Sequence, residues 1–102
     1  AVASADGRIF TGCNVENASY GLTQCAERNA LSAAIAAGVL PGSMQQMVIF
    51  ASCFERLSPC GACRQVMVEL MSDQAMIHLT DESGQQTSWR IGDLFPHPFV
   101  LE

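Results

Sequence analysis

Three cysteines constrain this chain more than anything else in it. Cys25 heads one alanine-rich segment, and Cys60 and Cys63, preceded by Pro59, head another. Residues three apart on a helix share a face, so Cys60 and Cys63 can grip one ion. The partial positive charge of a helix N-terminus favours thiolate over thiol. Two such helix ends converging on one point would gather three thiolates. With no fourth ligand evident, that set matches a catalytic zinc site, which keeps one position open for water. Zinc can lower the pKa of bound water from 15.7 to about 7.

The rest of the pattern supplies elements to carry those ends. Residues 1–4 are a short apolar stub, Ala5-Asp6-Gly7-Arg8 reads as a turn, and Arg8 to Asn14 (RIFTGCN) alternates as a strand, giving a hairpin. Residues 15–24 are polar and turn-like. Cys25 to Ala37 has Leu31, Ala34 and Ile35 at helical spacing, with Gly38 placed to end the helix and Pro41 beyond it. Met47 to Ala51 (MVIFA) is a continuous apolar run, the pattern of a strand buried on both faces. Pro59 opens a second helix over 60–71, with Val66, Met67 and Leu70 on one face. Ala75 to Thr80 is a strand, Asp81 to Gln86 a turn around Gly84, Thr87 to Arg90 a last strand, and Ile91 to Phe95 a short helix stopped by Pro96. The order β-β-α-β-α-β-β predicts an α/β protein, a three-layer α/β/α domain with a mixed β-sheet.

Length and charge narrow the function. At 102 residues the chain is read as one domain, 1–102, with a modest core that metal binding or association with further copies would support. The net charge of −5, with five basic residues, lacks the electrostatic footprint for phosphate backbones. A small-molecule substrate is expected, and no nucleic acid. No apolar run reaches the roughly 18 to 20 residues of a membrane span, so no membrane partner is expected. The opening Ala1-Val2-Ala3-Ser4 has no basic region ahead of it, and C-x-x-C without a secretory signal favours metal or redox chemistry over a disulfide framework. A cytoplasmic location follows as an expectation.

Glu27 lies two residues beyond Cys25, beside the metal without being counted among its ligands, where a carboxylate can move protons. Zinc deaminases show such an arrangement: a three-Cys or His/Cys/Cys site, a Glu that is not a ligand, and an H-x-E…P-C-x-x-C pattern, with Cys25 here in the His position. Arg28 follows directly. Three thiolates leave the zinc shell with a net negative charge, and a guanidinium donating to sulfur would offset it.

These residues resemble a known family, the cytidine deaminases, in their small three-cysteine form. The resemblance is carried by Gly12 to Gly21 (GCNVENASYG), Cys25 to Arg28 (CAER) and Ser58 to Gln65 (SPCGACRQ); Asp93 to Phe99 (DLFPHPF) is similar to the family's Leu-Leu-Pro-x-x-Phe ending. It implies hydrolytic deamination of cytidine and deoxycytidine to uridine and deoxyuridine, in pyrimidine salvage. It also implies Zn2+ on Cys25, Cys60 and Cys63, with Glu27 as proton shuttle. Asn14 and Glu16 would hold the ribose hydroxyl, and the backbone near Ala26 would help read the pyrimidine edge. Phe99 would be the aromatic sent toward the base, often in a neighbouring subunit of a homotetramer with shared active sites. The family carries about 25 to 30 further residues ahead of this point. They supply a helix, the start of the first strand and part of the pocket wall.

Other readings use the same residues. A related enzyme could deaminate a cytosine-nucleoside antibiotic, though Asn14-Val15-Glu16-Asn17 offers the polar partners a ribose needs. C-x-x-C also occurs in redox pairs at helix starts. A closed structural zinc site would take its fourth ligand from Cys13 or Cys53, and a non-catalytic, zinc-stabilised interaction module, with an inactive truncated deaminase among its forms, is a further reading. Loss of zinc in Cys53→Ser would favour the closed site; retained zinc there, with activity lost in Glu27→Gln, would favour the enzyme. Cys13 and Cys53 otherwise read as buried small apolar residues, His78 and His97 as structural or solvent-facing, Trp89 as packing and the methionines as core filling.

Overall fold

The computed structural model describes residues 1–52 and 57–101. Eight regular elements follow one another: β1 (Val2–Ser4), β2 (Ile9–Phe10), α1 (Ala26–Ala36), β3 (Met44–Phe50), α2 (Gly61–Leu70), β4 (Met71–Thr80), β5 (Gln86–Arg90) and α3 (Ile91–Leu94), with a single 3-10 turn at Tyr20–Leu22 between β2 and α1. They build a five-stranded sheet in the order β2-β1-β3-β4-β5. Only β3 and β4 run parallel; every other neighbouring pair is antiparallel. A parallel pair needs a crossover, and α2 provides it. The α/β class and the mixed sheet are those expected from the alternation of patterns.

Pairing explains the core. Met47 lies opposite Val2 on one side and Ile77 on the other, and Ile77 lies opposite Trp89, so all four share a face. Val2, Met47 and Ile77 are buried there against Ala30, Leu31 and Ala34 of α1 and Cys63 and Met67 of α2, with Trp89 packed partly buried at the edge. Each fully buried Leu or Met of this set contributes about 1.5–3 kcal/mol. Ile91 and Leu94 of α3 close the same cluster. Four methionines, Met44, Met47, Met67 and Met71, lie in it, as gap-fillers do.

Two strands differ from expectation. The alternation over Arg8 to Asn14 yields only two ladder residues, Ile9 and Phe10; beyond them the chain keeps one isolated bridge, Val15 to Gln24. The MVIFA run is buried on one face rather than both, because Val48 and Phe50 face away from the helices and are 45% and 63% exposed. The sheet's opposite face is polar where β3, β4 and β5 meet. His78 sits there between Ser88 Oγ at Nδ1 and Gln46 Oε1 at Nε2, each 2.7 Å away. Both ring nitrogens are thus engaged within the sheet.

Helix ends obey local chemistry. Gly38, at φ +95°, stops α1 where side-chain-bearing residues would be strained. Its N–H reaches Ile35 O and that of Val39 reaches Ala34 O, both at 3.0 Å, the double bond of a Schellman stop. Arg8 donates to Ala37 O at 3.2 Å and ties the β1–β2 hairpin to the same end.

Candidate metal centre and active site

Cys25 caps α1 and Cys60 caps α2, both in extended conformation. Their caps differ: the Cys25 side chain accepts no hydrogen bond from the first turn of α1, while that of Cys60 serves its own helix. In α2 the cap is closed: the Cys63 N–H donates to Cys60 Sγ at 3.5 Å. Arg64 pins the approach to this cap, donating to Pro59 O at 2.7 Å, Ser58 Oγ at 2.8 Å and Leu94 O at 2.6 Å. The helices lie side by side, and the thiols of Cys25, Cys60 and Cys63 come together with all sulfurs within 4.8 Å of one another. Cys25 Sγ and Cys60 Sγ are 3.8 Å apart. Tetrahedral zinc with bonds of about 2.3 Å sets its sulfurs about 3.8 Å apart, so the donor set fits that ion.

The surroundings fit it too. Arg28 donates to Cys25 Sγ at 3.7 Å and to Thr23 O at 3.3 Å. Its Nε is buried with no partner among the described residues. A buried guanidinium N–H left unpaired is costly unless negative charge sits beside it, and three thiolates supply that charge. Burial, the hydrogen bond with Cys60 and the nearby Glu27 charge push the Cys63 thiol well above the usual range. At Cys60 burial acts upward as well, but hydrogen bonds from the Cys63 and Ala62 N–H groups and from the neighbouring thiols outweigh it and the thiol ends lower. A coordinated metal would deprotonate all three.

Glu27 stands in the first turn of α1 with Oε2 3.8 Å from Cys63 Sγ. It also lines a cleft of about 470 Å³, with Ala26 beside it, Gly12, Cys13 and Asn14 as one wall and Met47 to Phe50 of β3 as another. The cleft lies by the carboxyl end of the parallel strand β3, a common place for ligands in α/β sheets. Asn14 and Glu16 meet, the Asn14 amide donating to the Glu16 carboxylate. Thus Cys25, Cys60, Cys63, Glu27, Arg28, Ala26 and Asn14 gather at one place, with Glu16 attached through Asn14. Phe99 does not line this cleft. It is 70% exposed, and the Gln65 amide grips its backbone at both N–H (3.3 Å) and C=O (3.0 Å).

Cys13 is exposed on the cleft wall, not buried: the strand expected to carry it into the sheet ends at Phe10. It is not among the sulfurs that gather, so among the described residues the site has three thiols and no closing fourth. Cys53 lies outside the described residues. His97 lines a separate hollow with Pro59, Gly61 and Arg64 and is not among the groups gathered with the thiols. Two residues given no individual role by the sequence shape this wall: Gly12, flush on the α1 backbone, and Asn29, whose amide donates to Cys13 O at 2.8 Å. A glycine inside an alternating run does signal a close backbone approach, but Asn29 gives no signal of its own.

An α/β sheet with three thiols at two converging helix ends and a carboxylate beside them defines a zinc hydrolase of the nucleoside-modifying type. Residues 1–79 match the family described as the cytidine and deoxycytidylate deaminase zinc-binding region. A cytidine deaminase of Sporosarcina psychrophila is 37% identical over 102 residues, all of this chain and 74% of that protein. One of Halalkalibacterium halodurans is 39% identical over 97 residues, 95% of this chain and 72% of that protein. The crystal structure of cytidine deaminase from Burkholderia pseudomallei superposes with a TM-score of 0.90 at 46% identity, covering 96% of this chain and 77% of that one. The chain belongs to the cytidine and deoxycytidylate deaminase family, and its cofactor is zinc. No helix among the described residues is long and apolar enough to cross a membrane.

Proposed function

We propose that this protein hydrolyses the exocyclic amino group of cytidine, and of deoxycytidine, giving the uracil nucleoside and ammonia. One observation carries the reading: Glu27 lies beside the three-thiol cluster and on the wall of the same cleft as Asn14. Cys25, Cys60 and Cys63 would hold Zn2+, which supplies Lewis-acid activation of water at an open fourth position. Glu27 does the proton work. It takes one proton from water and delivers it to ring N3, then takes the proton left on the C4 hydroxyl and passes it to the departing amine, so water's oxygen ends as the C4 carbonyl, one of its hydrogens on N3 and the other in ammonia. Asn14, oriented by Glu16, offers donor and acceptor to the ribose hydroxyl, and the Ala26 backbone faces the pyrimidine edge. Ala26 and Glu27 adjoin Cys25 on one helix turn, so substrate and metal are positioned by the same rigid element.

The exposed Phe99, gripped by Gln65 outside its own chain's cleft, supports a homotetramer in which each copy sends this aromatic to a neighbour's site. The acidic chain lacks the basic surface that nucleic acid requires, and pyrimidine salvage in the cytoplasm is the setting. Incubating the zinc-loaded protein with cytidine should lower the cytosine absorbance and release ammonia in equal amount, from a species that sediments as four copies. No turnover by a metal-loaded, assembled sample overturns the activity, and a monomer that turns over cytidine overturns the shared site.

Arg28 balances the thiolate charge. Replacing it in Arg28→Ala should lower zinc affinity or turnover about 10- to 100-fold, as loss of a group hydrogen-bonded to a metal ligand does. Metal analysis after dialysis, together with kcat, reads this; wild-type values of both would remove the role.

A further inference from the structure

Asn14 and Glu16 lie on a segment outside any regular strand. What fixes it is the start of α1. Val15 exchanges two backbone hydrogen bonds with Gln24, each 2.9 Å, and Gln24 is the residue before Cys25. The Asn29 amide donates to Cys13 O at 2.8 Å. Gly12 lies flush on the helix backbone: a Cβ there would sit 2.4 Å from Ala30 N and 2.5 Å from Ala26 O.

The three attachments bracket Asn14. In extended chain, alternate side chains point the same way, so bonds at Cys13 and Val15 leave Asn14 and Glu16 projecting together. The element they are tied to is the one that carries Cys25 and Glu27. The backbone of the sugar-binding pair is thus referenced directly to the proton carrier, with no intervening loop. A displacement of about 1 Å between such groups can cost about 100-fold in rate.

We propose that Asn29 is a positioning residue that sets substrate selectivity. Its amide, acting with the side-chain-free contact at Gly12, holds Asn14 and Glu16 at a fixed place relative to Glu27, and so makes turnover depend on the sugar hydroxyls. The selectivity part rests on the deaminase reading above. The clamp part rests on geometry alone.

The test uses Asn29→Ala, which removes the donor, and Asn29→Asp, which keeps the shape and replaces the donor with an acceptor. Both are loaded with zinc and compared with wild type on cytidine and on 2′,3′-dideoxycytidine, which lacks the 2′ and 3′ hydroxyls. The ratio of the two kcat/KM values should fall about tenfold in each variant, the worth of one hydrogen bond, with zinc content unchanged. A purely structural loss would slow both nucleosides equally and leave the ratio intact, and that result overturns the selectivity role. Amide exchange reads the clamp without turnover: the Val15 N–H should exchange faster in both variants while that of Ile77 keeps its rate. Unchanged exchange at Val15 overturns the clamp. If wild type turns over neither nucleoside, the deaminase reading and the selectivity role both fall, and the exchange result still decides the clamp.

Discussion

Glu27→Gln is expected to lower the turnover of cytidine about a thousandfold while zinc content and melting temperature stay as in wild type. The amide keeps the carboxylate's size and can still accept a hydrogen bond at Oε1. What it cannot do is take a proton from water and release it to nitrogen. General acid–base work of this kind is worth about 10²- to 10⁴-fold, and here one side chain serves both the water and the departing amine, which lifts the loss above the bottom of that range. The position of Glu27 makes the experiment clean. Its carboxylate is 3.8 Å from Cys63 Sγ, near enough to serve water beside the metal, and it is not one of the three gathered thiols. Metal analysis, thermal melting and steady-state rates on one preparation separate proton transfer from metal loss. A variant with wild-type kcat would end the assignment. A variant that lost its zinc would make Glu27 a ligand instead.

Local chemistry decided how much of this was legible in the sequence. Cys25, Cys60, Cys63, Glu27 and Arg28 all sit at helix starts, where caps, a proline and i, i+3 spacing are written into a few adjacent residues. The stop at Gly38 is equally local: only a residue free to take φ +95° lets Val39 turn back onto Ala34. What the sequence concealed depends on distant neighbours. MVIFA reads as apolar whatever lies above it, so its exposed side, Val48 and Phe50, could not be distinguished from its buried one. Cys13 looked like a core residue because its hydropathy does not reveal that β2 ends at Phe10. Asn29 is an ordinary polar helix residue until Cys13 O is seen 2.8 Å from its amide. Gly12 is the intermediate case, since the glycine is visible but the helix it touches lies further along the chain.

Removing the zinc is expected to abolish turnover and also to lower the melting temperature by about 15–30 °C. The thermal effect follows from where the three sulfurs are. Each stands at a helix start, two on α2 and one on α1, and the ion would join the two helices directly. A ligand bound only to the folded chain stabilises it by about 4.1 kcal/mol at a thousand times its Kd, and in a domain of this size each kcal/mol moves the midpoint by about 4–8 °C. Metal-free, the chain keeps its apolar core but leaves two groups poorly matched: the buried Cys63 thiol, and the Arg28 Nε that has no partner among the described residues. Acid should have the same effect as a chelator, because protons compete with the ion for thiolate. Treatment with a strong chelator, metal analysis and a melting scan read the outcome, and stoichiometric Zn2+ should restore both rate and midpoint. If the stripped protein keeps its midpoint but not its turnover, the ion serves catalysis without bracing the two helices. Turnover that persists after verified removal would refute the metal's part in the reaction and leave the three thiols without a role.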